Sequence, residues 1–72
     1  MRRDEYVYGF GERLGKAITQ KGMSDMAVSE RCGLSKSAVC GYINFGHMPS
    51  CASLVKLARV LGVSTDYLLG VK

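Results

Sequence analysis

The residues of this 72-residue chain with the widest chemistry are three cysteines and one histidine: Cys32, Cys40, Cys51 and His47. In principle they make a four-ligand Cys3His zinc set, because thiolates and imidazoles bind zinc tetrahedrally. Their spacing argues against it. Structural zinc sites bring ligands in close pairs on a turn, and no CxxC or CxxxC pair occurs here. An odd number of scattered cysteines gives no disulfide framework either. The expectation is reduced thiols that pack as small hydrophobes, in a cytoplasmic setting, with no metal and no cofactor. Catalytic groups are equally sparse: one histidine, scattered acids, no glycine-rich phosphate loop behind a strand and no Ser–His–Asp candidate. The chain is not expected to be an enzyme.

Ten Lys/Arg against six Asp/Glu give a net charge of +4, and the chain is 47% hydrophobic and 22% charged. The corresponding pI is near 9.2. Such a balance belongs to a folded soluble domain rather than a disordered one. This length fits one domain, whose core is too small to enclose a deep substrate pocket as well. No run of about 18 apolar residues is present to span a membrane. The charged start Met1-Arg2-Arg3-Asp4-Glu5 also lacks the apolar block that a signal peptide needs. Positive charge is concentrated between residues 13 and 59, where Arg13, Lys16, Lys21, Arg31, Lys36, Lys56 and Arg59 face only Asp25 and Glu30. A basic body of this kind meets phosphate, with an affinity that falls with salt as counterions are released. Excesses of this size also occur on proteins that bind no nucleic acid.

The elements that must position these residues are helical. Phe10, Leu14, Ala17 and Ile18 fall on one helical face before Gly22. Gly11 and Gly15 weaken that helix by roughly 1 kcal/mol each, so it depends on tertiary packing. Ser24 can cap a second helix that Gly33 stops, and Ser35 a third that runs from Lys36 to Asn44. Phe45 to Pro49 reads as a loop. Ser50 then caps a fourth helix with the stripe Leu54, Leu57, Ala58 and Leu61, ended by Gly62. Ser64 caps a last short helix through Leu68 and Leu69, ended by Gly70. Strand-like alternation is confined to Tyr6-Val7-Tyr8. The expectation is an all-α, compact five-helix domain over residues 10–70, preceded by an N-terminal arm, residues 1–9, for which a flexible tail is one reading.

Residues 23–44, MSDMAVSERCGLSKSAVCGYIN, set two short helices on either side of a Gly-Leu-Ser turn. That is the layout of a helix-turn-helix, whose second helix can lie in the DNA major groove. Val28, Leu34 and Val39 are spaced to pack the two helices together, and Ser29 is small where they cross. The run MPSCASLVKLARVLGVSTDYLLG follows in the right order. Together, without a gap from about Phe10 to Gly70, these stretches resemble the phage-repressor (Cro-like) helix-turn-helix DNA-binding family. The resemblance implies a lambda-repressor-like fold with its motif at residues 24–44. It also implies a sequence-specific DNA-binding transcriptional regulator that places the helix 36–44 in the major groove. A small repressor is favoured over an activator, because no separate effector domain is read from the sequence. The implied partners are double-stranded DNA, as an inverted-repeat operator, and a second copy of the chain. A homodimer of this kind sets its reading helices about 34 Å apart.

By the same resemblance, Lys36, Ser37, Cys40, Gly41 and Asn44 are the outward positions of the reading helix. Lys36, Ser37, Cys40 and Gly41 are the expected base-reading positions, lysine being able to donate to guanine N7 and O6. Ser24, Asn44, Arg13 and Lys21 are the expected phosphate contacts, helped at Ser24 by the anion-favouring head of its helix. For Ser24 and Ser35, plain capping is the competing role. Three positions depart from the family pattern. Asp25 stands where glutamine is common, and its carboxylate either caps its own helix or pairs with Lys36. Ile18 and Ile43 stand where relatives carry an arginine–glutamate pair; replacing both partners strands no charge, and Ile18 is expected to pack on or near Ile43. Cys40 and Gly41 are short where relatives carry longer polar readers. That shifts specificity toward shape and backbone contacts, or makes the chain a protein-interaction module on the same scaffold with weak or non-specific DNA binding. A thiol on the reading face also raises a redox-sensing alternative, which requires exposure and a lowered pKa. At the ends of the chain the alternatives stay open. Arg2 and Arg3 can reach a minor groove, Tyr6 to Tyr8 can fold onto the body, or the arm can fray. Tyr67, Leu68, Leu69 and Val71 can close a homodimer or cap the domain's own core.

Overall fold

Serines set the starts of the last four helices in this protein, and left-handed glycines set the ends of every helix but the third. The computed structural model describes residues 4–71. Its helices are α1 (Asp4–Lys21), α2 (Asp25–Cys32), α3 (Lys36–Asn44), α4 (Cys51–Leu61) and α5 (Thr65–Leu69). Among the described residues there is no strand. Ser24, Ser35, Ser50 and Ser64 hold extended backbone at the heads of α2 to α5. Each hydroxyl oxygen accepts from the amide three residues on, at 3.1, 3.0, 3.2 and 3.0 Å respectively. Every such bond satisfies one of the amides that a helix start leaves unpaired, a contribution of about 1 kcal/mol. At the other end of α2, Gly33 adopts left-handed backbone with φ 68°, a conformation that a side chain resists. Its amide donates to Glu30 O and the next amide, Leu34, donates to Ser29 O at 2.8 Å. The same paired bonds close α1, α4 and α5, with Met23, Val63 and Val71 in the place of Leu34. Met23, Leu34 and Val63 pack against the core, whereas Val71 is 61% exposed.

The core draws on every helix: Phe10, Leu14, Ala17 and Ile18 from α1, Val28 and Cys32 from α2, Val39 from α3, Leu57, Ala58 and Leu61 from α4, and Leu68 from α5. Full burial of side chains such as Phe10, Leu14, Leu57 and Leu68 stabilises the fold by about 1.5–3 kcal/mol each. α1 packs on α3, α4 and α5, and α2 packs on α3 and α4, so α1 and α2 together support the inner side of α3. Tyr42 of α3 meets Phe10 of α1 edge-on, ring centroids 6.4 Å apart. Ser29 is buried at the α2–α3 crossing, and its hydroxyl donates to Met26 O at 2.7 Å, so the small polar residue there carries no unmet hydrogen bond.

Gly11 and Gly15 let α3 come close to α1. A Cβ added at Gly11 would stand 2.7 Å from the carbonyl oxygens of both Tyr42 and Ile43, and one added at Gly15 would be 3.8 Å from Ile43 Cγ2. Ile18 is buried in the core and Ile43 packs against the same cluster, with its methyl over Gly15, one turn before Ile18.

The start of the chain differs from expectation. The arm expected over residues 1–9 is helical from Asp4 onward and continuous with α1. A helix nucleated over the following turns extends at little cost per residue, and no proline intervenes to stop it. Tyr6-Val7-Tyr8 is therefore helical backbone, and Arg2 and Arg3 lie outside the described residues. No helix of the described chain is long and apolar enough to cross a membrane.

Candidate nucleic-acid interface

α3 is fixed by its head and its inner side. Ser35 caps it, Val39 is buried, and Tyr42 and Ile43 lie partly buried against the core. These anchors leave Lys36, Ser37 and Asn44 exposed and Cys40 half-buried on the outer side. Lys36, Ser37 and Cys40 share a shallow groove of about 350 Å³ with Phe45. Asn44 Nδ2 donates to Cys40 Sγ, one turn back, at 3.3 Å.

Gly41 does not belong to this surface, which corrects its expected place among the base readers. Helical spacing turns position 41 outward, yet Gly41 is buried. The chain after α3 folds back over it: the amides of Phe45 and His47 both donate to Gly41 O, at 3.0 and 3.2 Å. A Cβ at Gly41 would stand 2.6 Å from His47 Nδ1, so glycine is what lets the imidazole rest there. His47 and Phe45 form a tilted ring pair with centroids 6.2 Å apart, and both are exposed. Neither was a DNA-contact candidate from the sequence, where His47 was weighed only as a zinc ligand. The available signal was a large aromatic residue directly after α3, in a loop with glycine and proline; the fold-back over Gly41 has no local signature.

The expected phosphate contacts are scattered. Ser24 is exposed at the head of α2 while capping Ala27 N, so capping and display at the surface coexist there. Asp25 opens α2, and no hydrogen bond or ion pair joins it to Lys36. Arg13 is engaged in the fold. Its Nε donates to Leu68 O at 2.9 Å, and the guanidinium lies against Gly9 and Gly70. It thereby ties α1 to the carbonyl end of α5, where a cation is favoured. Lys21 is exposed in the last turn of α1, with Nζ 3.9 Å from the Cβ that Gly62 lacks, beside the carbonyl end of α4. The stretch of sequence that holds α3 carries charge of one sign. No acidic residue occurs between Glu30 and Asp66, a stretch that carries Arg31, Lys36, Lys56 and Arg59 and contains all of α3 and α4.

The three thiols are free and unequal: Cys32 is buried, Cys40 intermediate and Cys51 exposed. Burial pushes the Cys32 thiol above its ordinary pKa, with Lys56 pulling the other way. Among the described residues no group of three or more His, Cys, Asp or Glu side chains is placed to hold a metal ion.

Comparison with known proteins agrees with this architecture. The profile of the helix-turn-helix family matches residues 14–68. The SPbeta prophage-derived uncharacterized HTH-type transcriptional regulator YonR of Bacillus subtilis (strain 168) is 40% identical over 60 residues, which cover 83% of this chain and 56% of that protein. The chain thus spans little more than half the length of that relative. The crystal structure of the restriction-modification controller protein C.AhdI from Aeromonas hydrophila matches with a TM-score of 0.79 at 31% identity, covering 86% of this chain and 94% of that one. With a serine-capped, glycine-turned α2–α3 pair at its centre and a family match over most of its length, the chain belongs to the phage-repressor (Cro-like) helix-turn-helix family.

Proposed function

We propose that this protein is a sequence-reading DNA-binding transcriptional regulator, a small repressor that lays α3 in the major groove of a double-stranded operator. The observation that carries the reading is the outer face of α3, with Lys36 and Ser37 exposed at its capped head, in a stretch of chain without a carboxylate. Lys36 donates to guanine N7 and O6, Ser37 bonds a neighbouring base edge, and Cys40 makes a short contact beside them. Ser24 with the head of α2, Asn44 and Lys21 meet phosphates and fix the register, whereas the bases supply the choice of sequence. Arg13 belongs to the frame. A prophage-derived regulator and a controller protein among the relatives favour the same reading. It places the protein in the cytoplasm and gives it no catalytic step and no cofactor.

The same reading pairs two copies through α5. Val71 is exposed where its counterparts Met23, Leu34 and Val63 pack inward, and Tyr67 and Leu69 are only partly buried. Two-fold pairing sets the α3 helices about 34 Å apart, one turn of duplex. The test is selection of bound duplexes from a random-sequence pool at near-physiological salt, followed by sequencing. An enriched inverted repeat supports a dimeric reader, and a single enriched half-site keeps the reader and removes the dimer. Salt-sensitive binding without enrichment overturns sequence reading and leaves a protein-interaction module with backbone affinity.

A further inference from the structure

The outer face of α3 has a neighbour that the helix itself does not supply. Phe45 is the first residue after α3 and is 70% exposed, and its backbone is tied to that helix. Its amide donates to Gly41 O at 3.0 Å, and its ring pairs with that of His47, which is seated on Gly41. The groove that Phe45 lines is shared with Lys36, Ser37 and Cys40. An aromatic ring, a thiol and a serine thus line a small depression together with the side chain of a lysine. Such a place takes a small apolar group carried on an electronegative surface. Duplex DNA offers that combination in the major groove, where the thymine 5-methyl stands beside base acceptors and phosphates. Charge agrees with this occupant, since Lys36 lines the groove and no acidic residue does.

We propose that Phe45, braced by His47, is a specificity-determining residue that contacts the 5-methyl group of a thymine next to the base read by Lys36. The inference rests on the DNA-reading function proposed above. Once an operator has been selected, each thymine in it is replaced in turn by deoxyuridine, which keeps the base pair and removes only the methyl. Binding of the wild-type chain and of Phe45→Ala is then compared on every duplex. The expected result is a loss of about fourfold in wild-type affinity at one thymine per half-site, the size of one buried methyl group. Phe45→Ala should bind the thymine and deoxyuridine duplexes equally at that position, and Phe45→Leu should keep part of the difference. Phe45 is exposed, so the variants are expected to fold, and circular dichroism checks this. If Phe45→Ala keeps the full thymine preference at every position, or if it binds as the wild type does, the inference fails while sequence reading stands. If no operator is enriched at all, the function and this inference fall together.

Discussion

Gly11 and Ile43 hold α1 and α3 at a separation with no room for one methyl group, since a Cβ on Gly11 would stand 2.7 Å from Ile43 O. Backbone opposes backbone at this point, so no side chain can rotate away to make space. Gly15, one turn on, has ordinary clearance of 3.8 Å to a movable methyl.

The two glycines therefore predict opposite responses to the same substitution. Gly11→Ala gains about 1 kcal/mol of helix propensity but forces the helices apart at a cost of about 1–3 kcal/mol, so a net loss is expected. Gly15→Ala should stabilise by about 0.4–1 kcal/mol, because nothing opposes the gain. Urea denaturation of both variants measures the pair. A similar gain from each would show that α1 and α3 do not approach so closely.

Lys36 and Lys21 are expected to separate base reading from phosphate attraction. Lys36→Ala should weaken binding to a selected operator by about 1–3 kcal/mol and affect a scrambled duplex much less. Lys21→Ala should weaken both duplexes alike and reduce the salt slope by about 1. Fluorescence anisotropy titrations across a salt series read both effects, and an unchanged operator preference in Lys36→Ala removes that residue from the readers.

Arg13 is predicted to act on stability and not on DNA. Arg13→Ala removes a charged hydrogen bond to Leu68 O, and the expected loss is about 1.5–3 kcal/mol. Its salt slope on DNA should equal that of the wild type. A normal melting temperature with a shallower slope would reverse the assignment.

Thiol chemistry should rank the cysteines by position. A soluble disulfide reagent should modify exposed Cys51 first, Cys40 more slowly and buried Cys32 only on unfolding. Bound operator should slow Cys40 and leave Cys51 unchanged. Cys32 also gives a pH dependence of known sign. Its folded pKa lies above the ordinary 9.0, so above that pH the unfolded chain releases a proton that the folded chain keeps. The unfolded state then binds fewer protons, and stability falls as pH rises. Cys32→Ala should flatten that part of the slope in melts between pH 8 and 10.5, a range spanning the ordinary thiol value.

Where the physics is local, the sequence was readable. Serines placed the starts of α2 to α5 and glycines the ends of α2, α4 and α5, because caps and left-handed stops are chosen by residues a few positions away. The arm failed that test: no cap precedes Asp4, and the extension of α1 follows from helix propagation, which leaves no signature of its own. At the candidate site, the family resemblance marked Lys36 and Ser37 as outward positions, and both are exposed. The arrangement of Gly41, Phe45 and His47 was not legible, because it depends on a loop returning over α3, a contact that periodicity does not carry. Arg13 shows the same limit from another side. Its charge was visible, but its partner lies 55 residues away in the sequence.

The serine caps and glycine closures also bear on how such a protein can change. The bond that caps α3 at its head runs from the Ala38 amide to the Ser35 hydroxyl, and those after it end on the carbonyl of Gly41. Lys36, Ser37 and the Phe45 ring take no part in them, so the scaffold does not depend on which side chains stand at those positions. New combinations at these three sites can be tried, by selection or by a laboratory library, without first repairing the fold. The domain is in that sense a holder with exchangeable letters, and its target can drift faster than its shape.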